Sequence, residues 1–318
     1  MGDPPLTPYS PGALQARRAA TRRRRARRRA AARVAAVLLI AAVVAVVLTQ
    51  VFGRGATVRS SRRLEASVRP VLSRGPSRAT VRANAARELL ARENEAIDRL
   101  LRRQPFITAG GPERREIALT FDDGPGPYTP RLLDELERLH VPATFFEIGF
   151  MFRWFHGSAV RELHTGDVIG DHTETHPPMA LLSSSAQQAQ IVDQTEWVRK
   201  YGGPFPRLWR PPYGSYNATT LQILRRLHML MVLWTVDTHD YLRPGVATIV
   251  RRALAGARPG AIVLMHDAGG DRTQTIAALP LIVHALRAHG YRLVTIPQLI
   301  LDDSPRHPQQ LPSRLAGD

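Results

Sequence analysis

Two adjacent carboxylates, Asp122 and Asp123, close an apolar run in the stretch TFDDGP. Like charges that close disfavour each other's ionised form and cost stability unless something separates their roles. A cation beside one of them does so and leaves the other free to move a proton. The segment HTETHP supplies His172 and His176, four residues apart. On a helical turn that spacing sets both imidazoles on one face, as metal-ligand pairs require. The chain has no cysteine, so any transition metal must be held by His and carboxylate. Two His and one carboxylate leave coordination positions open, which marks a catalytic rather than a closed structural site. One aspartate would then bind the metal and the other face an activated water as general base. A facial-triad iron site uses the same ligand types, but on all-β scaffolds that do not match the pattern here.

The elements that must position these residues begin near residue 116. EIALTF, ATFFEIG, DVIGDH, RLWRPP, MLMVLWTVD, AIVLMHD and YRLVTI read as strands. Between them, amphipathic stretches such as TPRLLDELERLH and SSSAQQAQIVDQTEWVRKYGG read as helices, with Pro in a first turn, a serine cap and a glycine stop. About seven β/α units in roughly 190 residues imply a parallel sheet. The polar signatures DD, DH, RPP, VD and HD recur where strands end, as on the carboxyl face of a barrel. An open doubly wound sheet would gather its ligands at one switch point instead. The fold class is therefore α/β, a distorted (β/α) barrel, preceded by a transmembrane helix and a helical stem.

That preceding third is an address. Residues 1–105 carry 23 Arg against 6 Asp or Glu, whereas residues 106–318 carry 21 Lys or Arg against 21 Asp or Glu. The whole net charge of +17 thus sits in the N-terminal part, and a nucleic-acid-binding globular domain, which would need its own basic surface, is excluded. Residues 1–33 read as a disordered basic cytoplasmic arm. Residues 34–53 hold no charge and, as a helix, span about 30 Å, the thickness of a bilayer core. Ten arginines before that span keep the N-terminus in the cytoplasm and export the rest. A signal-anchor in the cell membrane is expected, with secretion after cleavage as the competitor. Residues 54–105 form a stem with an amphipathic helix, residues 106–302 the catalytic domain, and residues 303–318 a disordered tail. The oligomeric state is not encoded legibly.

TFDDGP, HTETHP, RPPYGSYN, WTVDTHDY and LMHD stand in that order at strand ends. In this, residues 105–300 resemble the polysaccharide deacetylases of the NodB-homology type, carbohydrate esterase family 4. The resemblance implies a metal-dependent deacetylase acting on an acetylated polysaccharide. Asp122 would be the catalytic base, and Asp123, His172 and His176 the metal ligands. The metal implied is zinc, with cobalt, manganese or nickel as alternatives. Arg210 would orient Asp122, and the backbone N–H of Tyr213 would bind the oxyanion. His266 would be the general acid, with Asp237 as the partner that keeps it charged. Leu264 would line the acyl pocket. The family commonly shows Asp-Trp in the fourth motif, where this chain has Asp240-Tyr241, so Tyr241 bears on substrate preference. N-Acetylglucosamine units of peptidoglycan are the favoured substrate, with chitin-type oligosaccharides next. An O-acetyl esterase on xylan, a glycan-binding pseudoenzyme and a membrane-tethered binder of nucleic acid or anionic lipid are the competing functions.

Overall fold

The computed structural model describes residues 77–311. The expected span at residues 34–53, its arginine arm and the start of the stem lie outside the described residues. Among those described, no helix is long and apolar enough to cross a membrane. The strands are β1 (Phe106–Ile107), β2 (Glu116–Asp122), β3 (Thr144–Glu147), β4 (Val168–Asp171), β5 (Leu208–Trp209), β6 (Leu230–Val232), β7 (Val236–Asp237), β8 (Ala261–His266) and β9 (Arg292–Leu293). All their pairings are parallel, in the order β1-β6-β5-β4-β3-β2-β8-β7, with β9 added to β2. The helices are α1 (Arg78–Leu101), α2 (Thr129–Leu139), α3 (Phe152–Thr165), α4 (Ser184–Lys200), α5 (Ala218–Arg226), α6 (Val246–Ala255), α7 (Thr273–Ala288) and α8 (Ile296–Asp302).

The run MLMVLWTVD, expected as one strand, is broken. Its first part, β6, pairs with β1 and β5, and its last part, β7, pairs with β8. At the break the Thr235 hydroxyl donates to the Ile262 carbonyl and accepts from the Ile262 N–H, so a side chain takes over the ladder. One stretch of chain thereby serves both margins of a curled parallel sheet. No lateral pairing joins β1 to β7 among the described residues.

The pleat decides which residues can meet inside the curl, because side chains alternate faces along a strand. On β2, Ile117, Leu119 and Phe121 pack outward with Leu132, Leu136, Leu279 and Ile282 of the surrounding helices. Ala118 faces inward with Phe146, Leu208, Val232 and Ile262. By that parity Thr120 and Asp122 face inward, as do Leu264 and His266 on β8. The bottom of the curl is closed by Ile296, Leu299 and Ile300 of α8, against which the stem helix buries Ala96, Ile97 and Leu100. The stem's amphipathic pattern is thus used, in its C-terminal half, for packing on its own domain. Ser77 caps the other end by accepting from the Thr80 N–H at 3.1 Å.

Residues 303–311, expected to be a disordered tail, are tied back instead. The Gln309 side-chain carbonyl accepts from the Thr108 N–H at 2.6 Å, and its amide donates to the Ala109 carbonyl at 2.9 Å. These backbone groups belong to the segment after β1, which meets β8 only through a single antiparallel bridge at Ala109 and Ala261, and the glutamine amide satisfies what that bridge leaves.

Glu147 and Glu162 are fully buried, and none of their four carboxyl oxygens has a hydrogen-bond partner among the described residues. Burial pushes both well above the usual carboxylate range, and the neighbouring acids add to it. In the fold both therefore favour the protonated form relative to the unfolded chain. A raised folded pKa gives stability that is full below about 4.5 and is lost as pH rises through the folded value. Glu147→Gln removes that titration while keeping the shape. Its melting temperature should exceed that of the unsubstituted chain by a margin that widens from pH 5 to pH 9, by about 2–4 °C for each kcal/mol relieved. A margin that stays constant over that range would mean that Glu147 carries no folding-linked proton.

Candidate active site

β2 brings Asp122 to the inner face at the carboxyl end of the sheet, in register with His266 of β8. The next residue, Asp123, takes a left-handed turn at φ 77°, which swings its carboxylate toward the loop after β4. Gly269, itself at φ 74°, leaves the room, since a Cβ there would stand 2.5 Å from Asp123 Oδ2.

That loop is not the helical turn expected for HTETHP. Asp171 ends β4 and accepts from the Thr173 N–H at 2.6 Å. Thr173 and His176 then adopt φ values of 72° and 59°, and the Thr173 hydroxyl accepts from the His176 N–H at 2.9 Å. A helix here would withdraw the Thr173 and Glu174 carbonyls, which instead accept from the Gly149 and Phe150 N–H groups. The two imidazoles still meet, with ring centroids 4.8 Å apart. Backbone strain of about 1–3 kcal/mol per residue at such positions persists only where the surroundings over-determine it.

Asp123 Oδ1 lies 3.2 Å from His176 Nε2 and 3.7 Å from His172 Nε2. The three ligand atoms fall within 4.8 Å of one another, a spacing one cation can bridge. His172 Nδ1 sits 2.8 Å from the Arg210 carbonyl, which can only accept, so Nδ1 carries the proton and the Nε2 lone pair faces the site. Burial holds His172 well below, and His176 below, the usual imidazole pKa, so both offer neutral nitrogens. The donor set therefore fits a divalent cation of the zinc type.

Asp122 keeps Oδ2 at 3.8 Å from His172 Nε2 and turns its other oxygen to Arg210. Its Oδ1 accepts from Arg210 Nη1 at 2.7 Å, and the same nitrogen donates to the Thr120 hydroxyl at 2.8 Å. The guanidinium is 0% exposed and lies 4.0 Å from the centroid of the Phe146 ring. Burial pushes Asp122 up, Arg210 and His266 oppose it, and the balance is a pKa of about 6. Above that pH it is an ionised base held in one orientation.

His266 corrects one expectation. Its Nδ1 is 2.8 Å from Asp240, not Asp237, and Asp240 also accepts from the His266 N–H at 2.9 Å and the Thr275 hydroxyl at 2.7 Å. Asp237 accepts from the His239 N–H at 2.7 Å. The turn at residues 240–242, entered through His239 at φ 51°, carries Asp240 back over β8, whereas Asp237 is fixed within β7. Burial alone would depress His266, but Asp240 first, and then Asp123 and Asp122, together outweigh it and raise the imidazole to about 9. Sequence spacing offered both acids and no means of choosing between them; Thr275 carried no signal at all.

These groups converge on one cleft of about 600 Å³. Leu264, Tyr241 and Trp234 give it an apolar wall, and the Tyr241 ring stands edge-on to His266 at 5.2 Å. Tyr213 lies on the rim at φ 56°, and its N–H meets no acceptor among the described residues. The cleft thus combines a ligand trio, an ionised base, a charged imidazole and a free N–H donor. That is the set needed to hydrolyse an acyl bond.

A family model for polysaccharide deacetylase matches residues 109–232. A peptidoglycan-N-acetylglucosamine deacetylase of Bacillus cereus is 39% identical over 199 residues, covering 61% of this chain and 93% of that protein. A chitooligosaccharide deacetylase of Rhizobium leguminosarum bv. trifolii is 38% identical over 207 residues, covering 61% and 95%. Among solved structures, a peptidoglycan N-acetylglucosamine deacetylase in complex with an N-oxidanyl-benzamide superposes with a TM-score of 0.61 at 33% identity. It covers 64% of this chain and 95% of that one.

Proposed function

Because this chain belongs to the polysaccharide deacetylase family, we propose that it removes N-acetyl groups from N-acetylglucosamine units of cell-wall glycan, with peptidoglycan as its polymer. The observation that carries this is the pairing, across one cleft, of an ionised base on Arg210 with an imidazolium on Asp240. An amide leaves as a poor amine unless it is protonated, so a histidine kept charged to about pH 9 favours N- over O-deacetylation.

Asp123, His172 and His176 are the residues that would hold a divalent cation. When bound, it would supply Lewis-acid polarisation of the acyl carbonyl and acidify the attacking water. Asp122 takes the proton from that water, with its carboxylate aimed by Arg210. The Tyr213 N–H donates a hydrogen bond to the carbonyl oxygen as negative charge grows there. His266 gives its proton to the departing amine, and Asp240 keeps the ring oriented. Leu264 and Tyr241 enclose the acetyl methyl and keep water out.

The proposal further holds that the chain is a single-pass membrane protein, with the cation-dependent domain of residues 106–302 outside the cytoplasm. Full-length protein in detergent, incubated with peptidoglycan sacculi, chitopentaose and acetylated xylan, should release acetate and leave free amines on the first two. Chelation should abolish that activity and zinc restore it. In cells the activity should pellet with membranes. Acetate from xylan without any amine product elsewhere would replace this reading with the O-acetyl esterase.

A further inference from the structure

The loop from β3 to α3 and the first turn of α3 carry two aromatic side chains, Phe150 and Trp154, that the catalytic groups do not use. Phe150 is 38% exposed and Trp154 59% exposed, and their rings meet edge-to-face at 4.6 Å. Large exposed aromatics are uncommon on a folded surface, and a contiguous pair of them marks a contact site.

Their place is fixed relative to the cleft. Ile148 and Met151, on either side of Phe150, line the cleft itself. The Ile148 N–H donates to the Gly124 carbonyl at 2.7 Å, beside Asp123. The Gly149 and Phe150 N–H groups donate to Thr173 and Glu174, between the two site histidines. Gly149 has no room for a side chain, since a Cβ would fall 2.2 Å from Glu174 Oε2. Phe150 is therefore held on a tied-down loop beside the cleft, with Trp154 against it from the first turn of α3.

Cations accompany it. The Arg153 guanidinium lies 5.3 Å from the Phe150 ring centroid and 5.7 Å from that of Trp197. Lys200 Nζ lies 4.4 Å from the Trp197 centroid. No ion pair within 4.0 Å joins Arg153 or Lys200 to a carboxylate of the described residues, whereas Arg138 and Arg199 each have one and Arg161 has two. A positive charge parked on aromatic faces is held in position, and although Arg153 also feels the Glu174 carboxylate in the adjoining loop, no ion pair within 4.0 Å engages it.

We infer that Phe150, Trp154 and Arg153 form a subsite of the catalytic cleft for a carboxylate-bearing sugar unit of a glycan strand. The inference rests on the deacetylase reading and adds which feature of the polymer is recognised. The C–H face of a pyranose ring packs on the indole, and Arg153 pairs with the acidic substituent. The cleft-lining neighbours Ile148 and Met151 set the pair beside the cleft, and with the charge of Arg153 this points to the substrate strand as the occupant.

The test uses the full chain and two probes, a muropeptide glycan oligomer and the neutral chitopentaose, with KM, kcat and binding by tryptophan fluorescence. Trp154→Ala should raise KM on both pentamer-length probes by about 3–10-fold, the range of one aromatic contact, with little change in kcat. The rise should shrink as the oligomer is shortened to a disaccharide, and Trp154→Phe should restore much of it. Arg153→Gln should raise KM on the muropeptide oligomer alone and flatten its salt dependence. Unaltered KM in Trp154→Ala on both probes, or a loss in Arg153→Gln that is equal on the neutral one, overturns the subsite while leaving the deacetylase reading intact. If the chain turns over neither glycan, the deacetylase reading falls, and Trp154-dependent binding of the muropeptide oligomer then decides the subsite by itself.

Discussion

Asp122→Asn is expected to retain about one zinc per chain while kcat falls by ~10²–10⁴-fold, the usual contribution of a general base. Asp123→Asn should instead lose both metal and turnover. The two carboxylates differ in what they face. Asp123 Oδ1 stands 3.2 Å from His176 Nε2, whereas Asp122 is bound to Arg210 at 2.7 Å and lies 3.8 Å from His172. The loss in Asp122→Asn should fall on kcat more than KM, because the base acts on water and not on the sugar. Arg210 would be left buried without its counter-ion, which can cost about 3–5 kcal/mol of stability. The rates must therefore be referred to folded, zinc-loaded protein, checked by metal analysis and thermal melting. If Asp122→Asn lost zinc while Asp123→Asn kept it, the roles would have to be exchanged.

Asp240→Asn should move the alkaline limb of the kcat–pH profile to lower pH. His266 is held at about 9 against the depressing effect of its own burial, and Asp240 is the main reason. The sign follows from the acid's role: activity needs the protonated ring and is lost as pH rises through its pKa. At pH 8 a group of pKa about 9 is mostly charged, whereas one at the ordinary 6.5 is only a few per cent charged. The population effect alone is thus about 30-fold, and burial without the carboxylate takes it further. Asp237→Asn, two side chains away along the same loop, should leave that limb nearly in place. The reverse pattern in the two profiles would return the role to Asp237.

The sequence made most of the site legible because its residues sit where pattern and chemistry coincide. Asp122, His172, Arg210 and His266 each stand at or just beyond a strand end on one parity, so hydrophobic alternation and a polar strand-end motif point to the same place. What was not legible depends on backbone that no periodicity encodes. Non-glycine residues at positive φ, namely Asp123, Thr173, His176, Tyr213 and His239, shape the loops between the motifs. They turned the expected helical H-x-x-x-H into a kinked loop and chose Asp240 over Asp237. The break within MLMVLWTVD is of the same kind, since nothing in nine apolar-rich residues announces that Thr235 will substitute for the ladder. Residues 303–311 read as a tail because their anchoring by Gln309 is long-range and leaves no local trace.

The position of β2 has a consequence for how the chain is made. All seven of its residues are buried, and it is flanked by β3 on one side and β8 on the other. β3 leaves the ribosome soon after β2, but β8 comes about 140 residues later and brings His266 with it. Until then a nascent chain holds the whole ligand trio while a strand that the finished fold buries throughout offers an open edge, which is a template for pairing with another chain. A premature stop before residue 261 should therefore yield an aggregating product and not a weakly active one. β8, arriving with only β9 still to come, both completes the chemistry and covers that edge along most of its length.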